Sequence, residues 1–434
     1  MKRLSRALAL VPLAAFLTLA GCASTPEAAS APDVEFLGAA AVPGGDQAAP
    51  DKSGLPHTLL EDGVSFRDRF DGFGSGLAWT GHGSRYLLLS DRGPNKVQYP
   101  GGDAVDFTTS YANRFQVADI DVKKTAAGWK VSVSLQATKL LRNETGTSFT
   151  GLSTAFTGAD PTQNLRLDPE GIRVAPDGTV WISDEYGPVI YHFSKDGQRI
   201  ESLPVPAEFL LDNLAPTLAK EMAPSANTKG RYTNRGAEGL ALTPDGSRMV
   251  VTMQSALVQD GGSKGLDTRF LVYDLKTKAA PRQYVYRQDT LKTANSEIVA
   301  LNDHQFLVDE RDGVPGAAGV KLLYLIDLNQ SPAPTEVSGL AKVDASVVPL
   351  KKTLFADLGA LLNQANPYVT PAGLPDKIEG IAFGPDLPDG RHLLLVTNDN
   401  DYSTTFPNYV FAFAVKPSAV PGFQNQKAKD SASW

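Results

Sequence analysis

Five stretches of the chain repeat one pattern of apolar and polar positions. They read SGLAWTGHGSRYLLLSDRG from Ser75, PEGIRVAPDGTVWISDEYG from Pro169, AEGLALTPDGSRMVVTMQS from Ala237, SEIVALNDHQFLVDERDG from Ser296 and IEGIAFGPDLPDGRHLLLVTNDND from Ile378. Each is an apolar run, a turn, a second apolar run and a polar end. In the second copy Ile172, Val174, Val180 and Ile182 alternate about Pro176, Asp177 and Gly178, which predicts a β-hairpin. A turn centred on Asp177 sets Ile172 opposite Ile182 and Glu170 opposite Asp184, with Glu185 beside them. The same arithmetic brings Glu238 near Gln254, Glu297 near Asp309 and Glu310, and Glu379 near Asn398 and Asp399. In the first copy Ser75 stands in the glutamate's place, opposite Asp91.

Hairpins recurring about 60–95 residues apart, with further strands between them, predict an all-β chain folded as a β-propeller. Val189–Phe193 and Arg199–Val205 would complete a four-stranded blade after the Glu170 hairpin. Six such blades are expected, with five or seven also compatible. Val34–Gly38 reads as an early strand that closes the ring by joining the last blade. The first strand of each blade lines the central channel, so the glutamates gather around one mouth. Three long insertions, Asn143–Asp168, Ala207–Asn234 and Thr353–Asp376, fall on that rim. Ala207–Met222 has helical spacing broken by Pro216.

The ends of the chain read differently. Lys2, Arg3 and Arg6 precede an apolar stretch, Leu8–Ala20, too short to span a bilayer. It ends Leu19, Ala20, Gly21, Cys22, which resembles the lipobox of bacterial lipoproteins. That resemblance implies a signal peptide over residues 1–21 and lipidation of Cys22. It also implies a cell-envelope location facing the periplasm or exterior, with membrane contact through the anchor only. Cys22 is the single cysteine, so no disulfide forms within the chain. Residues 22–54 are rich in Ala, Pro, Gly and Asp and read as a tether. Residues 55–417 form one propeller domain and 418–434 a tail.

Net charge is −7 for the whole chain, and about −10 once the three leader cations are gone. An acidic chain without a basic run is a poor nucleic-acid binder. Calcium takes six to eight oxygen ligands, and the open ends of the hairpins supply that type: Glu170, Glu238, Glu297, Glu379, Asp309 and Asp399, with Asp184, Glu185 and Glu310 alongside. No His or Cys cluster favours zinc or copper. So many carboxylates at one mouth need positive charge among them, from an ion or from Arg92, Arg235 and Arg311. A purely structural rim would carry the same residues, each acid capping a loop or pairing with an arginine. A serine-hydrolase elbow, a Walker loop and a dinucleotide fingerprint are all missing.

DPEGI with DGTVWISDEYGP, NRGAEGLALTPDG, LVDERDG, and KIEGIAFG with TNDND together resemble the bacterial phytase-like family, also called esterase-like activity of phytase. The resemblance runs from about Gly72 to Val415. It implies a propeller, export, and hydrolysis of phosphoric or other esters. True β-propeller phytases bind calcium in the channel. Carried onto this chain, that makes Glu170, Glu238, Glu297, Glu379, Asp309 and Asp399 metal ligands. Glu170, Asp184, Glu185 and Glu310 become the catalytic carboxylates, and Arg92, Arg235 and Arg311 the clamps on a phosphate ester. No dense lysine cluster for a highly phosphorylated inositol is present. Two alternatives stand beside this reading: a calcium-dependent lactonase, and a non-catalytic binding or scaffolding lipoprotein.

Overall fold

A computed structural model describes residues 33–95, 107–156, 164–215, 218–221, 227–365, 374–403, 406–426 and 434. Cys22 and the leader lie outside them. Blade 1 is β2 (Phe73–Trp79), β3 (Arg85–Ser90), β4 (Arg114–Thr125) and β5 (Gly128–Leu140), if β1 (Val34–Val42) is counted first in the chain. Blade 2 is β6 (Pro169–Val174), β7 (Val180–Asp184), β8 (Ile190–Phe193) and β9 (Arg199–Leu203). Blade 3 is β10 (Ala237–Leu242), β11 (Arg248–Met253), β12 (Asp267–Asp274) and β13 (Arg282–Arg287). Blade 4 is β14 (Ala294–Ala300), β15 (Gln305–Arg311), β16 (Lys321–Asp327) and β17 (Lys352–Asp357). Blade 5 is β18 (Ile378–Phe383), β19 (His392–Asn398) and β20 (Asn408–Val415), completed by β1 on its outer edge.

The fold is therefore a β-propeller of five four-stranded antiparallel blades, not six. The reason is local. The longest interval between repeats is taken up by β4 and β5, 12 and 13 residues long, and by the insertion after them. It holds one large blade rather than two small ones. Five apolar clusters, one between each pair of neighbouring blades, agree with that count. Alternation along each strand sends successive side chains into opposite clusters: Leu87 and Leu89 pack toward blade 2, Tyr86 and Leu88 toward blade 5.

The expected closure is present, with β1 antiparallel to β20 from Val34 opposite Val415 to Val42 opposite Asn408. The linker-like composition around it does not keep this stretch out of the fold. Lys52 N–H donates to Thr138 Oγ1 at 2.9 Å, and Asp51 pairs with the buried Arg114 of β4. Of the rim insertions, the second carries the short helix α1 (Leu218–Glu221) and the third carries α2 (Leu358–Gln364). Thr353–Asp357, read as insertion, is the outer strand of blade 4.

Hydroxyls on the second strands stitch the blades together around the channel. Ser183 Oγ donates to Glu238 O at 2.5 Å and accepts from Gly171 N at 2.8 Å. Thr397 Oγ1 donates to Gly74 O at 3.0 Å, joining blade 5 to blade 1. The glycine after the ring glutamate has a steric cause. A Cβ on Gly171 would lie 2.8 Å from Glu238 O, and one on Gly239 would lie 2.6 Å from the Cα of Glu297.

Candidate functional site: the acidic mouth of the channel

The hairpin register contains a bulge that simple counting misses. Pro169, not Glu170, lies opposite Asp184, and pairing resumes at Ile172 with Ile182. Leu240 with Val251 and Ile381 with Val396 repeat this; in blade 1 pairing resumes one residue earlier, at Gly76 with Leu89, and the equivalent pair is Leu77 with Leu88. The bulge turns the Glu–Gly pair out of the ladder and toward the mouth. In blade 4 the equivalent pair is Ile298 with Val308. Counting back two residues from each pair gives the ring: Ser75, Glu170, Glu238, Ser296 and Glu379.

Glu297 therefore sits at the glycine position, one step deeper, in a layer otherwise formed by Gly76, Gly171, Gly239 and Gly380. Its carboxylate accepts from the amides of Leu240 at 3.1 Å and Ile298 at 2.9 Å, and pairs with Arg173 at 3.1 Å. Arg173 donates further to the carbonyls of Leu77 (2.9 Å), Ile172 (2.5 Å) and Ile298 (2.6 Å). Inner strands have one edge without a partner strand, and a planar guanidinium with five donors can satisfy several such carbonyls at once. Arg173 thus bridges blades 1, 2 and 4 across the channel. Beneath it a cavity of about 40 Å³ is bounded by Phe423–Gln426. Gln424 N–H bonds to Leu301, and the side chains of Asn425 and Gln426 bond to the carbonyls of Gly384 and Val174.

Two groups of three carboxylates form at the mouth, each offering oxygens within 4.8 Å of one another: Asp168, Glu170 and Glu185, and Asp91, Asp399 and Asp401. In the first group Arg92 holds Asp168 at 2.6 Å and reaches Glu185 at 3.9 Å. Glu185 Oε1 is buried with no hydrogen-bond partner. In the second, Lys377 Nζ lies 2.8 Å from Asp399 and 2.5 Å from Asp401. Arg311 pairs with Glu379. Glu238 accepts from the amide of Gln254 at 2.8 Å, and its Oε2 is buried without a partner. Eight acids (Asp91, Asp168, Glu170, Glu185, Glu238, Glu379, Asp399 and Asp401) thus face three paired cations, Arg92, Arg311 and Lys377. Arg235 is half-buried and has no ion pair among the described residues.

The electrostatics follow from this excess. Burial and then repulsion from Asp168, against Arg92, push the Glu185 carboxyl up to about 8. Burial raises Glu379 to about 7, although Arg311 opposes it. Glu170 and Glu238 stand well above the usual range, first from burial, then from repulsion by Glu238 on Glu170 and by Glu185 and Glu379 on Glu238. A site of this kind favours protons or added positive charge.

Other predicted residues are placed elsewhere. Asp184 accepts from the amides of Asp168 (3.0 Å), Tyr186 (3.1 Å) and Gly187 (2.8 Å), and so clamps the turn that presents Glu185. Glu310 points away from the channel, between blades 3 and 4. There it accepts from Tyr286 at 2.8 Å, Lys352 at 2.6 Å, Thr293 at 2.7 Å and the amide of Asp289 at 2.7 Å. Asp309 fills the place of Ser183, fully buried, with both oxygens lacking a hydrogen-bond partner. Sequence reasoning passed over Asp168, Lys377, Asp401, Arg173 and Ser296. Asp168 and Lys377 had a signal: each lies two residues before a ring glutamate, outside the hairpin arithmetic.

The model of the family described as Phytase-like, esterase-like activity of phytase, matches residues 68–402. The chain belongs to this family. A relative described as an uncharacterized secreted protein of Arthroderma benhamiae is 28% identical over 326 residues. That match takes in 61% of this chain and 60% of the relative, so the chain spans less than two thirds of the relative's length. Among solved structures, a gluconolactonase of Xanthomonas campestris is similar at 10% identity and a TM-score of 0.33, covering 87% of this chain and 98% of that one. A PQQ-bound aldose sugar dehydrogenase of Streptomyces coelicolor is similar at 14% identity and a TM-score of 0.33, covering 88% and 98%. Likenesses this distant carry no argument about activity. Among the described residues no helix is long and apolar enough to cross a membrane.

Proposed function

We propose that this phytase-like protein is a calcium-dependent hydrolase of phosphoric esters, exported and held at the cell envelope through Cys22. One observation carries the catalytic reading: Asp168, Glu170 and Glu185 converge within 4.8 Å at the mouth while Glu185 Oε1 is buried without a partner. The donor set fits calcium. It is all oxygen, carries net negative charge, and has Ser75 and Ser296 hydroxyls on the same ring, both lacking a hydrogen-bond partner. When bound, such an ion supplies charge neutralisation for a phosphate and acidifies a water.

The chain's own residues do the rest. Arg92 holds Asp168 in position from the outer side. Arg235, with no ion pair among the described residues, is a cation available to a phosphate oxygen through its planar fork. Glu238 is bonded only on Oε1, and burial, then repulsion from Glu185 and Glu379, holds its carboxyl well above the usual range, so it favours keeping a proton or gaining a neighbouring cation. Arg173 and Phe423–Gln426 close the channel below, so substrate enters and product leaves by the mouth.

The test is phosphate release from a mixed panel of phosphate esters by the full chain, with calcium and with chelator. Calcium-dependent release supports the reading. Turnover of lactones alone would make the site a lactonase. One observation favours the non-catalytic alternative: Arg92, Arg311 and Lys377 already pair within the rim, as a self-neutralising structural ring would. Absence of turnover on both panels would select it.

A further inference from the structure

We infer that Lys377 is a built-in cation, its ammonium standing among Asp91, Asp399 and Asp401 where a divalent ion would otherwise bind. Both groups are made of three carboxylates with oxygens within 4.8 Å of one another. They differ in what neutralises them. Arg92 grips the first group from one side, through Asp168, and leaves Glu185 Oε1 without a partner. Lys377 enters the second group and touches two of its members, at 2.8 and 2.5 Å. An ammonium is a compact point charge with three rotatable donors, so it can serve several carboxylates from between them as a metal ion does.

The blade repeat gives an independent argument. Asp168 lies two residues before the ring glutamate Glu170, and Lys377 lies two residues before Glu379. At one equivalent place in the repeat, blade 2 contributes a carboxylate to its group and blade 5 contributes a cation. The mouth is thus mixed: one group open to an exchangeable ion, one group already filled. The side chain of Lys377 is 24% exposed, so an ion from solvent can reach the place it would vacate. The part concerning the exchangeable ion rests on the calcium reading above; the part concerning Lys377 does not.

Calcium bound per full-length chain is measured by equilibrium dialysis with metal analysis for the wild type, Lys377→Gln and Lys377→Arg. The expected result is one more ion in Lys377→Gln than in the wild type, lost again when Asp401→Asn is added. Lys377→Arg is expected to bind as the wild type does. Calcium is also expected to raise the Tm of Lys377→Gln by several degrees more than that of the wild type. Equal calcium counts in Lys377→Gln and wild type overturn the inference, as does a Lys377→Gln chain that stays unfolded with calcium present. A wild type that binds no calcium defeats the calcium reading, whereas a gain of one ion in Lys377→Gln would still support the assignment of Lys377.

Discussion

Replacing Arg173 with methionine removes the charged plug of the channel while keeping most of its apolar stem. The guanidinium is buried and makes a 3.1 Å ion pair with Glu297 and three bonds to backbone carbonyls of blades 1, 2 and 4. Breaking a buried pair by deleting one partner costs about 3–5 kcal/mol, because the other charge stays behind unpaired. Glu297 can relieve part of that cost by taking a proton. Burial already pushes its carboxyl up to about 7 against the pull of Arg173, and loss of the arginine raises it further. The expected loss is therefore about 4 kcal/mol at pH 8 and about half that at pH 5.5. In a domain of this size that corresponds to a Tm drop of about 5 °C at the higher pH. Adding Glu297→Gln should recover about 1–3 kcal/mol, since the two side chains act as a coupled unit. Thermal unfolding of the single and double variants at both pH values measures this. A Tm within a degree of wild type, or a loss that does not depend on pH, would refute the plug.

Other outcomes follow from the same geometry. Without added metal, stability should fall as pH rises from about 5 to 8: Glu297, Glu379 and Asp184 are raised to about 7 and Glu185 to about 8. A carboxyl whose folded-state pKa exceeds its unfolded value holds its proton more tightly when folded, so its stabilisation is full below about pH 4.5 and lost through pH 7–8; Tm measured against pH in chelator checks the sign. Thr397→Val should cost about 1 kcal/mol by removing the hydroxyl bond from blade 5 to Gly74, read as a lower denaturant midpoint at unchanged slope. Glu310→Gln should lower stability by about 1–3 kcal/mol while leaving ester turnover close to wild type, because Tyr286, Lys352 and Thr293 hold it away from the mouth; a loss of turnover without a loss of stability would place it back in the site.

Much of this molecule is legible in the sequence, and the limits are physical. Alternation about Pro-Asp-Gly turns reveals the hairpins, and the recurrence of Glu at one hairpin position reveals a shared mouth. Blade number is less legible, because the strand length that separates one blade from two in the first interval depends on how far β4 and β5 pair. The bulge at Glu170 and Gly171 shifts the register by one residue, which counting from a turn cannot detect. That single residue matters most in blade 4. It puts Ser296 on the ring, sends Glu297 into the channel toward Arg173, and turns Glu310 outward to Tyr286. The cations were hardest to place. Arg173 reads as an ordinary strand residue between Ile172 and Val174, and only the approach of two other inner strands, β2 and β14, gives most of its donors their partners.

The most direct test compares calcium-dependent phosphate release by the wild type with that of Glu170→Gln and Glu185→Gln, each checked for an unchanged fold and for calcium bound. The account predicts calcium-dependent release in the wild type, with calcium binding and release falling together, by at least about tenfold, in both variants. Release that survives both substitutions, or that continues undiminished in chelator, would contradict the assignment of the acidic mouth as a calcium site for ester hydrolysis.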